Sequence, residues 1–281
     1  HLHLHLHLHL HHQPGQPGRS RLQASSSSLR DFPQTYEQVA SQASKAAQLA
    51  LEDGVALQEI EFPPLSLSAV CGDGEGSVEA DANLNHTLEV SMLLKKENKN
   101  MRIMFPDKDE MDRALDLKAA EYPNEDVNTS FLITPSIFGD IGLDPFKSPI
   151  ASRITPEEDS LYVIAYPSYN VNEMLAVEEL HQEGVEAPIV VINGELDRFR
   201  SGYYPSVFYP KIAKMSSSFI PEFEAVYYIH NFKGRNPGVL FRKYPEDWKV
   251  YRRGRDNKVL ECIHSQPTRP TLKEIALEYF C

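Results

Sequence analysis

The chain has 281 residues, 41% of them hydrophobic and 24% charged, which is an ordinary globular composition with enough apolar mass for a substantial core. Its longest apolar runs, such as residues 161–165 and 188–192, are strand-sized and fall far short of the roughly 20 residues a spanning helix needs. The formal net charge of −12 argues against a nucleic-acid-binding protein, and three well-separated cysteines (Cys71, Cys262 and Cys281) give no CxxC or Cys/His zinc spacing.

The first twelve residues alternate His and Leu and close on His11-His12, a low-complexity run. Residues 13–30 contain Arg19, Arg21, Arg30 and the run Ser25–Ser28 and no acid, the composition of an organelle transit peptide. Residues 1–31 therefore read as a disordered leader, and residues 32–281 as one α/β domain. Charge is unevenly spread over that domain. Residues 31–197 hold 10 Lys/Arg against 32 Asp/Glu, whereas residues 198–258 hold 13 against 5. A chain polarised in this way can orient against anionic surfaces or charged partners.

From Gln34 to Asp53, apolar residues recur at helical spacing, with Gly54 as a C-cap. A strand follows through Phe62 and ends at Pro63-Pro64; Cys71–Gly76 reads as an acidic, flexible loop. Helices are expected over Asn83–Lys96, over Lys108–Ala120 with Asp107 as N-cap, and over Val171–Glu183 closed by Gly184. Strands are expected over Met101–Phe105, Thr129–Thr134, Leu161–Ala165 and Pro188–Ile192, with a Gly- and Pro-rich loop over Pro135–Pro156. This alternation predicts a layered α/β fold whose mostly parallel sheet is flanked by helices. After Pro221 the pattern changes. Ala225–His230, Gly238–Tyr244, Lys249–Arg253 and Val259–His264 read as a C-terminal antiparallel meander extending the sheet, closed by a helix over Thr271–Phe280.

Motifs for catalysis are missing. Gly72-x-Gly74-x-Gly76 has the wrong spacing for a dinucleotide fingerprint and carries acids that would repel phosphate. There is no P-loop, no GxSxG and no HExxH. His181 lies among glutamates and reads as a solvated-face residue; His230, at a strand end, reads as a core or interface histidine. The arginines and tyrosines of residues 198–258 interleave as they would on an RNA surface, but no RNP or KH motif accompanies them. The reading is accordingly no enzyme, no cofactor, no metal and no nucleic acid.

The most distinctive stretch is Asn193–Pro205. It leaves the expected carboxyl end of a strand, where open α/β sheets form their crevices, and offers arginines and tyrosines of the kind enriched in interfaces. Together with Phe208–Lys211, Val226–Gly234, Gly238–Arg242, Tyr244-Pro245, Trp248–Val250, Leu272–Ala276, Phe32-Pro33-x-x-Tyr36 and Glu59–Pro63, it resembles the chloroplast and cyanobacterial family of low-photosystem-II-accumulation assembly factors, a family defined as a domain of unknown function. The resemblance spans about residues 32–280 and is most specific after residue 188.

It implies a protein of the chloroplast stroma, partly peripheral at the thylakoid membrane. Such a protein assists incorporation of a chlorophyll-binding core antenna subunit into photosystem II, together with a thylakoid insertase, and no catalytic residues carry over. The residues expected to contact a partner are Arg198, Arg200, Tyr203, Tyr204, His230 and Arg235. Charge reversal at Arg198 plus Arg200 is expected to weaken docking and leave the fold intact. The alternative is a ligand-binding protein or enzyme that uses the crevice after Ile192.

Overall fold

The computed structural model describes residues 31–70, 76–133, 150–183 and 186–281. The leader, the acidic glycine loop at 71–75, most of the Pro135–Pro156 loop and the Gly184 cap lie outside the described residues.

Nine strands form one sheet: β1 (Leu57–Glu61), β2 (Met101–Phe105), β3 (Asn128–Phe131), β4 (Leu161–Ala165), β5 (Ile189–Ile192), β6 (Glu224–Phe232), β7 (Gly238–Lys243), β8 (Trp248–Arg253) and β9 (Val259–Gln266). Their order is β3-β2-β4-β5-β1-β6-β7-β8-β9. Every pairing from β3 to β6 is parallel. Those from β6 to β9 are antiparallel. The expected parallel sheet with its antiparallel meander is therefore the observed architecture. Strands β2, β4 and β5 are buried at every position. Their sequences Met-Arg-Ile-Met-Phe, Leu-Tyr-Val-Ile-Ala and Ile-Val-Val-Ile are apolar on both faces but for Arg102, which Asp159 pairs at 2.7 Å, because a parallel strand with helices on both faces has no wet side.

The helices divide between the two faces. On the first lie α1 (Tyr36–Glu52), α2 (Gly76–Lys95) and α3 (Lys108–Glu121), which pack Val39, Ala43, Leu88 and Ala114 against Ile60, Ile103, Val163 and Val190. On the second lie α4 (Val171–Gln182) and α6 (Pro210–Ser218), which pack Met174, Val177, Ile212 and Met215 against Met104, Ile164 and Val191. The short α5 (Asp197–Arg200) precedes α6. A last turn, α7 (Leu272–Ile275), continues into a π-turn over Ala276–Phe280 and covers Tyr228, Leu240, Trp248 and Val250.

Local chemistry explains the boundaries. The Thr35 hydroxyl accepts the Gln38 N–H at the start of α1, and Gly54 follows its end at φ +82°. Asp107 caps α3 as expected, its carboxylate accepting the Glu110 N–H at 2.9 Å. Thr271 and Glu274 form a capping box at α7. Helix α2 begins at Gly76, seven residues before the expected start, because its first two turns are solvent-facing and so carry no apolar stripe. Helices α5 and α6 fill a stretch to which pattern reading assigned none; α6 is nine residues long and buries only Ile212 and Met215, too few positions to reveal a period. His181 is half-buried, its ring stacked on Phe219 at 5.4 Å, rather than lying on a solvated face.

Candidate functional site

Strands β1 and β5 are neighbours, yet the chain leaves β1 toward α2 on the first face and leaves β5 toward α5 and α6 on the second. Divergence of this kind opens a crevice at the carboxyl ends of the strands. The crevice here is lined by Glu61–Leu65 after β1, Asn193 and Glu195 after β5, Ile229–Asn231 at the end of β6, and Glu79 and Asn83 of α2. Its volume is about 60 Å³, against the several hundred Å³ of pockets that enclose metabolites.

Its walls are tightly specified. Asn193, 3% exposed, sits at φ +52°, a left-handed conformation that Asn tolerates better than most residues. Its Oδ1 accepts the Phe62 N–H at 2.8 Å and its Nδ2 donates to Asn83 Oδ1 at 2.7 Å, tying β1, β5 and α2 together. Glu195 is also left-handed, at φ +49°, and donates its N–H to Glu61 Oε2 at 3.1 Å. Asn231 and Arg253 donate to Leu67 O, and Asn231 also to Ala69 O, which pins the 63–70 segment over the end of the sheet.

Beneath the crevice lies a charge network. Glu59 is fully buried on the second face of β1. The Arg200 guanidinium grips it with two bonds of 3.0 and 2.7 Å, and Arg269 donates to it at 2.8 Å. Arg269 also donates to Asp197 Oδ1 at 3.0 Å, and the Tyr228 hydroxyl donates to Asp197 Oδ2 at 2.5 Å. The Arg269 guanidinium lies 4.9 Å from the Tyr228 ring centre and 5.0 Å from that of Trp248. Burial would raise the Glu59 and Asp197 carboxyls, but Arg269 and Arg200 hold both below their ordinary values. Glu61, two residues along the same face, has no such cations. Burial, then Glu59, Glu195 and Asp197, pushes its carboxyl well up. Two carboxyls on one face of β1 are therefore shifted in opposite directions. His230, also on the crevice wall, is held below its ordinary value by burial, which Asp197 only partly offsets.

The expected contact residues separate into three settings. Arg198 is partly exposed, ion-paired with Glu195 at 3.1 Å and bonded to Ser168 O at 2.6 Å. His230 faces the crevice, and Arg235 is exposed in the turn after β6 at the same end of the sheet. Tyr203 is 72% exposed and begins a segment that continues through Val207 (83%), Phe208 (76%) and Tyr209 (45%). Tyr204 points back, stacked on Phe199 at 5.5 Å. Arg200 is turned inward onto Glu59 and neutralises a buried carboxylate, so reversing Arg198 and Arg200 together is expected to disturb the fold rather than spare it. The basic stretch does not gather on one side either, since Arg242 and Arg253 are 6% and 7% exposed. Sequence reasoning passed over Glu59, Asp197, Tyr228 and Arg269. The available signal was the pair Glu59 and Glu61, two acids at alternate positions of a strand.

Among the described residues no group of three or more His, Cys, Asp or Glu is placed to hold a metal ion, and no helix is long and apolar enough to cross a membrane. Fold and site together define an open mixed α/β sheet protein with a small crevice of mixed lining at a topological switch point and an exposed aromatic segment. The profile of a protein family described as a domain of unknown function (DUF1995) matches residues 33–277, and the chain belongs to that family. Searches of curated proteins and of solved structures gave no match.

Proposed function

We propose that this is a non-catalytic binding protein of the chloroplast stroma that assists incorporation of a chlorophyll-binding core antenna subunit into photosystem II at the thylakoid. The photosystem setting rests on the resemblance of Asn193–Pro205 and the segments around it to the assembly-factor family. The observation that carries the binding role is the run from Tyr203 to Tyr209, where four large apolar side chains stand in solvent on a folded support. Arg198, His230 and Arg235, at the carboxyl end of the sheet, supply polar contacts for the client. Arg200 and Tyr204 hold the segment from inside.

The test is a photo-cross-linker placed in turn at positions 203 and 235 of the full chain in isolated chloroplasts. Capture of the antenna subunit from either position supports the role, and capture from neither defeats it. The left-handed Asn193 and Glu195 favour a second reading, a small-ligand site in the crevice. A thermal shift with a small polar metabolite, abolished by Asn193→Ala, would favour that reading over docking.

A further inference from the structure

The segment from Tyr203 to Lys214 has a shape and composition that point to one kind of partner. Its tip is a turn closed by Phe208 N–H and Tyr209 N–H, both donating to Pro205 O at 3.1 and 2.9 Å. Tyr204, wedged between Phe199, Tyr203 and Tyr209, anchors the turn to the body. Pro210 then starts α6, which sends Ile212 and Met215 into the core and leaves Lys211 and Lys214 exposed. Val207 and Phe208 thus stand exposed on a packed turn, with two exposed lysines following within seven residues.

Charge completes the description. From Arg198 to Pro221 there is no Asp or Glu, and four cations, in a chain of net charge −12. Two of these cations are spoken for, Arg200 by Glu59 and Arg198 by Glu195. Lys214 lies within electrostatic reach of Glu178 on α4. Lys211 and Lys214 remain on the outer face of α6.

We propose that this knob docks on an anionic lipid surface, with Val207 and Phe208 entering the interfacial layer, Tyr203 and Tyr209 at headgroup depth, and Lys211 and Lys214 facing lipid phosphates. The proposal deepens the docking role above and rests on it in taking the exposed segment as a binding surface. Two features favour lipid over protein. Lysine is depleted in protein interfaces but enriched where a chain meets anionic headgroups. An exposed apolar tip needs no shaped receptor in a soft layer, and tyrosines suit the boundary between apolar and wet.

Purified full-length protein is sedimented with phosphatidylcholine vesicles, with and without phosphatidylglycerol. Binding is expected only with the anionic lipid and is expected to fall as salt is raised from about 0.1 M to about 1 M. Val207→Ser with Phe208→Ser is expected to weaken partition about tenfold, and Lys211→Glu with Lys214→Glu to abolish the anionic preference. Both pairs are exposed, so circular dichroism should report an unchanged fold. In Phe208→Trp, emission should shift to the blue on vesicles and be quenched by brominated lipid, against a constant background from buried Trp248. No anionic vesicle binding, or binding untouched by both double variants, overturns the proposal. So does capture of a stromal client segment that depends on Val207 and Phe208 without any vesicle binding. No client is present in the vesicle assay, so its failure is separable from failure of antenna-subunit capture.

Discussion

Arg269 and Glu59 meet at 2.8 Å although 210 residues separate them in sequence, and the contact joins the segment after the last strand to the middle of the sheet. Glu59 has no solvent contact, so its charge is tolerable only because two guanidinium groups surround it.

Removing one partner should therefore be costly. Arg269→Ala is expected to destabilise the protein by about 3–5 kcal/mol, the usual range for breaking a buried ion pair from one side. Arg269→Lys should recover only part, because an ammonium cannot fork between Glu59 and Asp197 while lying over Tyr228 and Trp248. Urea unfolding of both variants measures this; an Arg269→Ala protein within about 1 kcal/mol of wild type would contradict the network's importance.

The two arginines of α5 should behave differently. Arg200→Glu places a carboxylate against Glu59 and Asp197 and is expected to prevent folding or lower the melting temperature by well over 10 °C. Arg198→Glu faces Glu195 in partly exposed surroundings and should cost about 1 kcal/mol. Similar melting temperatures for the two variants would refute the inward placement of Arg200.

Opposite carboxyl shifts give stability a two-sided pH dependence. Glu59 and Asp197 are held below their unfolded values, so their stabilisation is present above about pH 4 and is lost as pH falls through the folded values. Glu173, 2% exposed, is moved the other way, from 4.5 to about 7 by burial. Between those two values the folded state binds more protons than the unfolded one, so this group makes stability decline as pH rises, by at most roughly 3 kcal/mol, and level off above about pH 7. Glu173→Gln should remove this group's share of the decline, leaving that of Glu61, with the acid limb in place. Denaturant titrations from pH 3 to pH 8.5 would show it, and an unaltered profile would count against a proton-retaining Glu173.

Gly238 opens β7 where the closing turn crosses the strand. A Cβ there would lie 2.0 Å from the Phe280 ring and 2.7 Å from Tyr251 O. Gly238→Ala should cost about 1–3 kcal/mol by overpacking. Adding Phe280→Ala removes the ring but not the Tyr251 carbonyl, so the double variant should be less destabilised than the two single losses combined. Strict additivity by thermal unfolding would show that the clash is not the cause.

The strands were legible because burial imposes a local signature: apolar runs at 161–165 and 188–192 and, broken only by Arg102, at 101–105, then short alternating segments after residue 221. Asp107 announced its helix by the same local logic. The basic excess of residues 198–258 could also be read directly, though not which of its arginines are buried. The start of α2 and all of α5 and α6 were not legible, since exposed turns and four-residue helices bury too little to repeat.

Which face each charge occupies was decided only by the tertiary structure. Arg198 and Arg200 are two residues apart and look alike in sequence, yet one pairs with the partly exposed Glu195 and the other with a buried carboxylate. Composition and periodicity report interactions within a few residues, whereas the pairing of Glu59 with Arg269 depends on how the whole sheet brings distant segments together. Desolvation then fixes the chemistry, because the same carboxyl group is held charged beside two guanidinium groups at Glu59 and pushed toward its protonated form without them at Glu61.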